Sequence, residues 1–219
     1  MLELSIEELR TYVDDSSTER DGANFCNDVE IPFQISSKDF LKYAEYDLNT
    51  KYEHHIINAL SNIKRAIDCQ IDSLLFAFGL LKKARKNRWS FPDKVEALTK
   101  LGLVSPRILT KINKQRNFLE HEFEIPNKDA VEDALDVAIL FEAYTEKFLH
   151  SCIEGFGFSN EKLGGLEITM NYKEHIINFR LRIIQPQTGE LQKVDRTISS
   201  DDDLYFEYLK FFIGLYEIL

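Results

Sequence analysis

The stretch HIINALSNIKRAIDCQIDSLLFAFGLL, residues 55–81, carries the strongest structural pattern in this chain. Its apolar residues recur at steps of three and four positions, which places them along one face of a helix. The stripe consists of Ile56, Leu60, Ile63, Ile67, Ile71, Leu74, Phe78 and Leu81. A stripe of this length predicts one long helix with a buried side. Gly79 weakens this helix, and it is expected to end before Pro92.

Further helices are expected on both sides of this stretch. Their start and stop signals are capping serines, prolines at the first helical position and glycines after the last turn. The predicted helices are one that follows Ser36 and Ser37, a short one at 93–101, one that opens at Ser105-Pro106 and ends by Pro126, and one at about 128–150. Four main helices with short connections predict an up-and-down bundle over residues 37–155.

The two ends of the chain have other patterns. Residues 1–36 are expected to form an N-terminal extension, in which Ser5 and Glu8 match the capping box of a short helix and residues 14–24 form a polar loop. From Gly164 onward, alternation of apolar and polar residues predicts strands at 166–172 and 177–183.

A third, weaker strand is predicted for LQKVDRTI, residues 191–198. Asp201 to Asp203 are expected to cap a last helix that is apolar and aromatic on most sides, so it must be buried in the fold or against a partner chain. The predicted fold is therefore mainly α: a helical bundle with a small C-terminal β-hairpin or sheet and a terminal helix over residues 160–219.

Basic residues are concentrated in one segment of an acidic chain. The 219 residues contain 27 Lys and Arg against 37 Asp and Glu, a net charge of −10. Between Lys82 and Arg116, however, eleven bases accompany only two acids, Asp93 and Glu96. Overall acidity argues against a general nucleic-acid coat, whereas one basic segment indicates one local anion site. The alternative is a solvated basic face that binds nothing.

Composition and spacing exclude several other classes of site. Cys26, Cys69 and Cys152 are odd in number and match no metal motif, so reduced thiols in a cytoplasmic protein are expected. No metal or cofactor is expected, because the sequence has no HExxH, Walker or dinucleotide-binding motif and the adjacent His54 and His55 would point about 100° apart on a helix. The N-terminus does not read as a signal peptide, and no apolar run approaches the roughly 18 residues of a membrane span.

The string RNFLEH, residues 116–121, lies at the end of the basic segment. On a helix Asn117 and His121 share a face, whereas Arg116 and His121 lie about 140° apart. Arg116 also stands four positions before Glu120, so a surface ion pair is the purely structural interpretation. His121 would then be an ordinary polar residue near the end of a helix.

Taken together, these segments resemble the HEPN family over about residues 38–150. The likeness includes the long amphipathic helix, the short helix after FPDKVEALTKLGL, the string RNFLEHEF and the alanine-rich helix KDAVEDALDVAILFEAYTEKFL. The resemblance implies a helical bundle that is usually dimeric. Active members are metal-independent endoribonucleases with an arginine, a polar residue and a histidine a few positions later, and Arg116, Asn117 and His121 match those positions.

The resemblance implies a hydrolase that cleaves RNA at a dimer interface, with a role in bacterial defence or a toxin–antitoxin system. Arg116 would hold the scissile phosphate, His121 would perform acid–base work, and Asn117 would orient His121 or the sugar. The residues expected to guide the RNA backbone are Lys82, Lys83, Arg85, Lys86, Arg88, Lys111 and Lys114.

A second hypothesis retains the bundle without the catalysis. Many HEPN members are inactive and bind a protein partner or RNA, and the short motif does not separate the two groups. In this hypothesis the partner protein binds through the aromatic C-terminal helix and the edge of the sheet, and Arg116 is structural.

Overall fold

The structure is a computed structural model and describes residues 3–26, 28–105, 107, 110, 127–184 and 189–218. The chain divides into two compact units. The sheet unit comprises Met1–Val29, Ala77–Gly79 and His150–Leu219, and the helical unit comprises Glu30–Phe76 and Leu80–Leu149. In the sequence, the helical unit thus lies between Val29 and His150 of the sheet unit and is interrupted by Ala77–Gly79. Residues 1–29 belong to the sheet unit and contribute elements to it rather than standing apart as an extension.

The described residues of the sheet unit form five antiparallel strands in the order of the chain. The strands are β1 (Thr18–Phe25), β2 (Ile153–Asn160), β3 (Gly164–Asn171), β4 (Ile176–Ile184) and β5 (Leu191–Ser199). Two helices accompany them, α1 (Ile6–Val13) and α7 (Tyr205–Gly214), and a 3-10 turn follows at Leu215–Ile218. β1 and β2 are neighbours in the sheet although the whole helical unit separates them in the sequence.

The predicted mainly-α fold is therefore wrong, and the chain is an α+β protein with a five-stranded sheet. The predicted strands correspond to β3, β4 and β5, but β1 and β2 were not predicted. β1 covers most of the expected polar loop, since its sequence TERDGANF is largely exposed and has no apolar alternation. β2 contains Gly155 and Gly157, which weaken a strand pattern. β1 is a strand because it pairs with β2, and β2 pairs with β3 on its other side.

The aromatic C-terminal helix is buried within its own unit. The Phe212 ring meets the Phe156 ring of β2 with centroids 5.4 Å apart, and the Tyr208 ring meets the Phe179 ring of β4 at 5.2 Å. The predicted cap is wrong: Leu204 precedes the helix without a side-chain cap, and the Asp202 carboxylate accepts from the backbone N–H of Ser199 at 2.7 Å instead. A partner chain is not needed to cover this helix.

The described residues of the helical unit form five helices. They are α2 (Ser37–Leu48), α3 (His55–Ala77), α4 (Leu81–Lys86), α5 (Phe91–Lys100) and α6 (Lys128–Thr145), followed by a 3-10 turn at Glu146–Phe148. The apolar stripe of α3 is buried as predicted, with Ile63, Ile71 and Leu74 no more than 2% exposed. Between α3 and α6, the Gln70 side chain donates to the Thr145 hydroxyl at 2.8 Å in the buried interior.

Capping residues determine where two helices of this unit begin. Ser36 caps α2 and Ser90 caps α5, each with a returning carboxylate from Asp39 or Asp93. The predicted long helix ends earlier than expected, because Gly79 adopts a left-handed φ of 71° and Leu80 donates back to the Leu75 carbonyl at 2.7 Å. Among the described residues, no helix combines the length and apolar character needed to cross a lipid bilayer.

Candidate anion-binding surface on the helical unit

The predicted catalytic residues Arg116, Asn117 and His121 lie outside the described residues, as do Lys111 and Lys114. Their roles therefore stay predictions from the sequence. The structure does describe the other five predicted RNA contacts, which we call the α4 basic surface: Lys82, Lys83, Arg85, Lys86 and Arg88.

All five cations of the α4 basic surface are exposed. The helix is amphipathic in spite of its shortness, because Leu81 and Ala84 on the opposite side are only 5% and 1% exposed. A helix turns by about 100° per residue, so burial of these two positions turns Lys82, Lys83, Arg85 and Lys86 to the outside. The buried apolar side holds α4 against its unit, and the cations lie on the side that faces solvent.

Four of the five cations of this surface are not neutralised by a carboxylate of the described residues. Within the described part of the chain, Lys83, Arg85, Lys86 and Arg88 make no ion pair with a carboxylate. By contrast, other lysines of the same unit are paired, such as Lys94 with Asp72 at 2.7 Å and Lys100 with Glu96 at 2.6 Å. Concentrated positive charge without acidic neighbours attracts polyanions.

Arg88 occupies a backbone conformation that normally favours glycine. Its φ is 51°, in the left-handed region. The Trp89 N–H donates to the Ala84 carbonyl at 2.9 Å and the Arg88 N–H donates to the Arg85 carbonyl at 3.2 Å. This pair of bonds is the Schellman arrangement that ends a helix. An arginine here costs conformational energy relative to glycine.

The end of α5 provides an internal comparison. Leu103 donates to the Leu98 carbonyl at 3.0 Å and Gly102 donates to the Thr99 carbonyl at 3.0 Å, so the same two bonds close this helix. Here the left-handed position is Gly102, with a φ of 82°. The helical unit thus uses glycine at this position outside the basic surface and arginine within it.

The charge of the chain is divided unequally between its units. The sheet unit contains nineteen acids and nine bases, whereas the helical unit contains eighteen of each, and together they account for the 37 acids and 27 bases of the chain. All of the net negative charge thus belongs to the sheet unit. Polyanion binding is consistent with the helical unit and opposed by the charge of the sheet unit.

The sheet unit contains a cavity of different character. It has a volume of about 580 Å³ and lies beside α1, with a floor that includes Leu9, Leu166 and Leu181. The charged residues that line it are acidic, Glu3, Glu7 and Glu8. An apolar floor with an acidic rim does not suit a nucleic acid.

Other candidates from the sequence do not form sites in the described structure. His54 is exposed, whereas the Nδ1 atom of the half-buried His55 lies 3.2 Å from the Asp47 carbonyl oxygen at the start of α3. Among the described residues, no group of three or more His, Cys, Asp or Glu side chains could hold a metal ion.

One cluster had no signal in the sequence. Cys26 and Cys152 are far apart along the chain, yet they lie side by side where β1 ends and β2 begins, and the Cys26 N–H donates to the Cys152 carbonyl at 2.9 Å. Sequence spacing cannot reveal this pair, because its proximity depends on the pairing of β1 with β2.

Comparison with known proteins adds no relative. No family model, no curated protein and no solved structure matches the chain.

Proposed function

We propose that this protein is a metal-independent endoribonuclease of the HEPN type that acts as a homodimer in the cytoplasm. The observation that supports the proposal is the α4 basic surface, whose exposed cations lie on the helical unit and precede the string at 116–121 in the sequence. The proposed catalytic residues are Arg116, Asn117 and His121.

RNA binds first through its phosphates in this proposal. Lys83, Arg85 and Lys86 provide exposed positive charge without acidic partners among the described residues, so RNA phosphates can replace bound counterions there. Lys82, Arg88, Lys111 and Lys114 complete the proposed path. The acidic sheet unit repels RNA and thereby confines binding to the helical unit.

The chemistry assigned to the string at 116–121 requires no metal. RNA cleavage needs a base that removes the proton of the 2′-hydroxyl and an acid that protonates the leaving oxygen. Histidine is the side chain whose usual pKa lies nearest neutral pH, and an arginine such as Arg116 can bind the phosphate through two N–H groups as negative charge develops. One chain provides one such histidine, so a symmetric dimer would provide the pair.

RNA binding without cleavage is the second candidate function. The α4 basic surface supports it equally, because exposed cations account for binding and not for bond breaking. Binding of a partner protein through the C-terminal helix and the sheet edge is not supported at the helix, since Phe211, Phe212 and Ile213 are buried in the sheet unit.

A cleavage assay in EDTA tests the proposal. A mixed pool of structured RNA is incubated with the wild-type protein, with His121→Ala, with Arg116→Ala and with His54→Ala, which changes an exposed histidine elsewhere on the helical unit. We expect cleavage by the wild type and by His54→Ala, and its loss in the other two variants. Equal cleavage by wild type and His121→Ala would refute the assignment.

RNA affinity of the same variants separates the two candidate functions. Filter binding or fluorescence anisotropy is measured with an RNA that carries 2′-O-methyl groups, because this RNA cannot be cleaved through its 2′-hydroxyl. Binding without any cleavage of unmodified RNA supports the second candidate. Absence of binding by the folded wild-type protein contradicts both.

A further inference from the structure

Cys26 and Cys152 form a cross-strand pair at one edge of the sheet. The last pair in the β1–β2 register is Phe25 opposite Ile153. Cys26 follows Phe25 and Cys152 precedes Ile153, so the two cysteines are opposite each other just beyond the ends of the two strands. The Cys26 N–H donates to the Cys152 carbonyl at 2.9 Å, and the Cys26 thiol lies close enough to contribute to the raised pKa of Cys152. Opposed residues of an antiparallel pair have Cα atoms about 4.5–5.5 Å apart, within the range that a disulfide spans.

The surroundings of the pair hold Cys152 in place. The Tyr172 hydroxyl donates to the carbonyl of the next residue, Ile153, at 2.8 Å, and the Tyr216 hydroxyl accepts from the Ile153 N–H at 3.1 Å. On the other side, the Asp28 carboxylate contacts the His150 ring at 3.0 Å. These contacts keep the two chain segments together whether or not a covalent bond joins them.

The two thiols differ in accessibility. Cys26 is half-buried and Cys152 is fully buried. Burial, together with the adjacent Cys26 thiol, raises the pKa of Cys152 to about 12. Cys26 is therefore the thiol that an oxidant reaches first, and Cys152 reacts only with a group already attached to Cys26.

We propose that Cys26 and Cys152 are a reversible disulfide site that fastens the edge strand β1 to β2. β1 is hydrogen-bonded to a single neighbour in the sheet and has register shifts between Arg20 and Gly22 and between Asn24 and Phe25. A covalent bond at its end restrains the strand at the point where the chain leaves the sheet unit for the helical unit. The proposal does not depend on the proposed ribonuclease activity.

The oxidant is a low-molecular-weight disulfide. The Cys26 sulfur attacks one of its sulfur atoms, which forms a mixed disulfide and releases one thiol that takes the Cys26 proton. The Cys152 sulfur then attacks the Cys26 sulfur, and the second thiol leaves with the Cys152 proton. Two protein thiols are oxidised to one disulfide, and one small disulfide is reduced to two thiols.

Cys69 provides the control within the same chain. It lies on α3, its thiol donates to the Ile35 carbonyl at 3.5 Å, and burial raises its pKa. Cys69→Ser removes this third thiol from the assay, so that only Cys26 and Cys152 can react.

The experiment equilibrates the full chain carrying Cys69→Ser with mixtures of reduced and oxidised glutathione, followed by acid quenching and intact mass analysis. We expect the loss of two hydrogens without bound glutathione, and one cross-linked peptide that contains Cys26 and Cys152. The additional variant Cys152→Ala is expected to retain one glutathione at Cys26. A persistent glutathione at Cys26 while Cys152 is still present would overturn the proposal.

Amide hydrogen exchange provides a second readout that does not require the Cys152→Ala variant to fold. Oxidation of the Cys69→Ser protein is expected to slow exchange in β1 and β2, because the bond limits local opening of the edge strand. The melting temperature is expected to rise by an amount on the order of 5 °C. Unchanged exchange in β1 after complete bridging would show that the bond does not fasten the strand.

Discussion

The backbone N–H of Trp89 is hydrogen-bonded to the carbonyl oxygen of Ala84 at 2.9 Å, and this bond holds Arg88 between them at a φ of 51°. The same closure at the end of α5 has Gly102 at the corresponding position. A left-handed residue with a Cβ atom costs about 1 kcal/mol relative to glycine. The conformational cost and the exposed charge of Arg88 can therefore be separated by mutation.

Replacement of Arg88 by glycine is expected to raise the free energy of unfolding by up to about 1 kcal/mol and to weaken RNA binding. The first effect follows from the left-handed backbone, and the second from the lost charge. Urea unfolding and RNA anisotropy measure the two effects on the same protein. Arg88→Lys keeps both the charge and the strain, so it should change neither quantity appreciably.

The matched control is Gly102→Ala. No described atom lies within 4 Å of the Cβ atom that this change adds, so it introduces strain without a clash. We expect a loss of about 1 kcal/mol in stability and no change in RNA binding. A stabilising Gly102→Ala together with a destabilising Arg88→Gly would contradict the account of both helix ends.

Charge reversal tests the α4 basic surface more strongly. The triple change Lys83→Glu, Arg85→Glu and Lys86→Glu is expected to weaken RNA binding by roughly tenfold or more, because three phosphate contacts are lost. The slope of log affinity against log salt should become shallower by about 2, since each contact to a single strand contributes about 0.7. Anisotropy titrations at several salt concentrations measure both values.

Three exposed lysines on the sheet unit provide the control for the reversal of three positive charges. Lys173, Lys193 and Lys210 are exposed there. Their replacement by glutamate changes the net charge of the chain by the same amount. Similar losses of affinity in the two triple variants would indicate that only the net charge matters and that α4 is not the binding surface.

Phe212 tests the burial of the C-terminal helix. It is fully buried, and its ring contacts the rings of Phe156 and Tyr216. Phe212→Ala is expected to lower the free energy of unfolding by about 3–5 kcal/mol, because the cavity left behind adds to the lost transfer energy. Leu204→Ala, at a residue that is 51% exposed, should change it by less than about 0.5 kcal/mol. The free energies of unfolding are measured by chemical denaturation. If Phe212→Ala lowered the free energy of unfolding as little as Leu204→Ala does, the observed packing would be contradicted.

The capping box of α1 predicts a specific loss of stability in acid. The Ser5 N–H donates to the Glu8 carboxylate at 2.8 Å, and these hydrogen bonds lower the pKa of Glu8 from its usual value of 4.5. A lowered pKa means that the unfolded chain binds the proton more readily. The stabilisation is therefore present above about pH 4.5 and is lost as the pH falls through the folded-state pKa.

Ser5→Ala is expected to cost about 0.5–2 kcal/mol at neutral pH, and Glu8→Gln is expected to reduce the acid dependence of stability. Denaturant unfolding between neutral pH and about pH 3 measures both. Glu7, in the same helical turn, provides the control, since the capping box uses Glu8 and not Glu7. Glu7→Gln should leave the acid dependence close to that of the wild type.

Local signals in the sequence determined much of the secondary structure. The apolar stripe from Leu60 to Leu74 predicts α3, and Ser36 and Ser90 mark the starts of α2 and α5, because these features act within one or two helical turns. Alternation of apolar and polar residues likewise predicts β3 and β4. The exposed cations from Lys82 to Arg88 follow from the same periodicity.

The tertiary structure decided the rest. β1 is polar and has no strand pattern of its own, so it forms only because β2 provides backbone partners from beyond the helical unit. Cys26 and Cys152 become neighbours for the same reason, and no spacing rule could reveal a contact created by a non-local strand pair. Arg116 and His121 stay predictions of the sequence, which determines their types and spacing, whereas the distances between their side chains depend on tertiary structure.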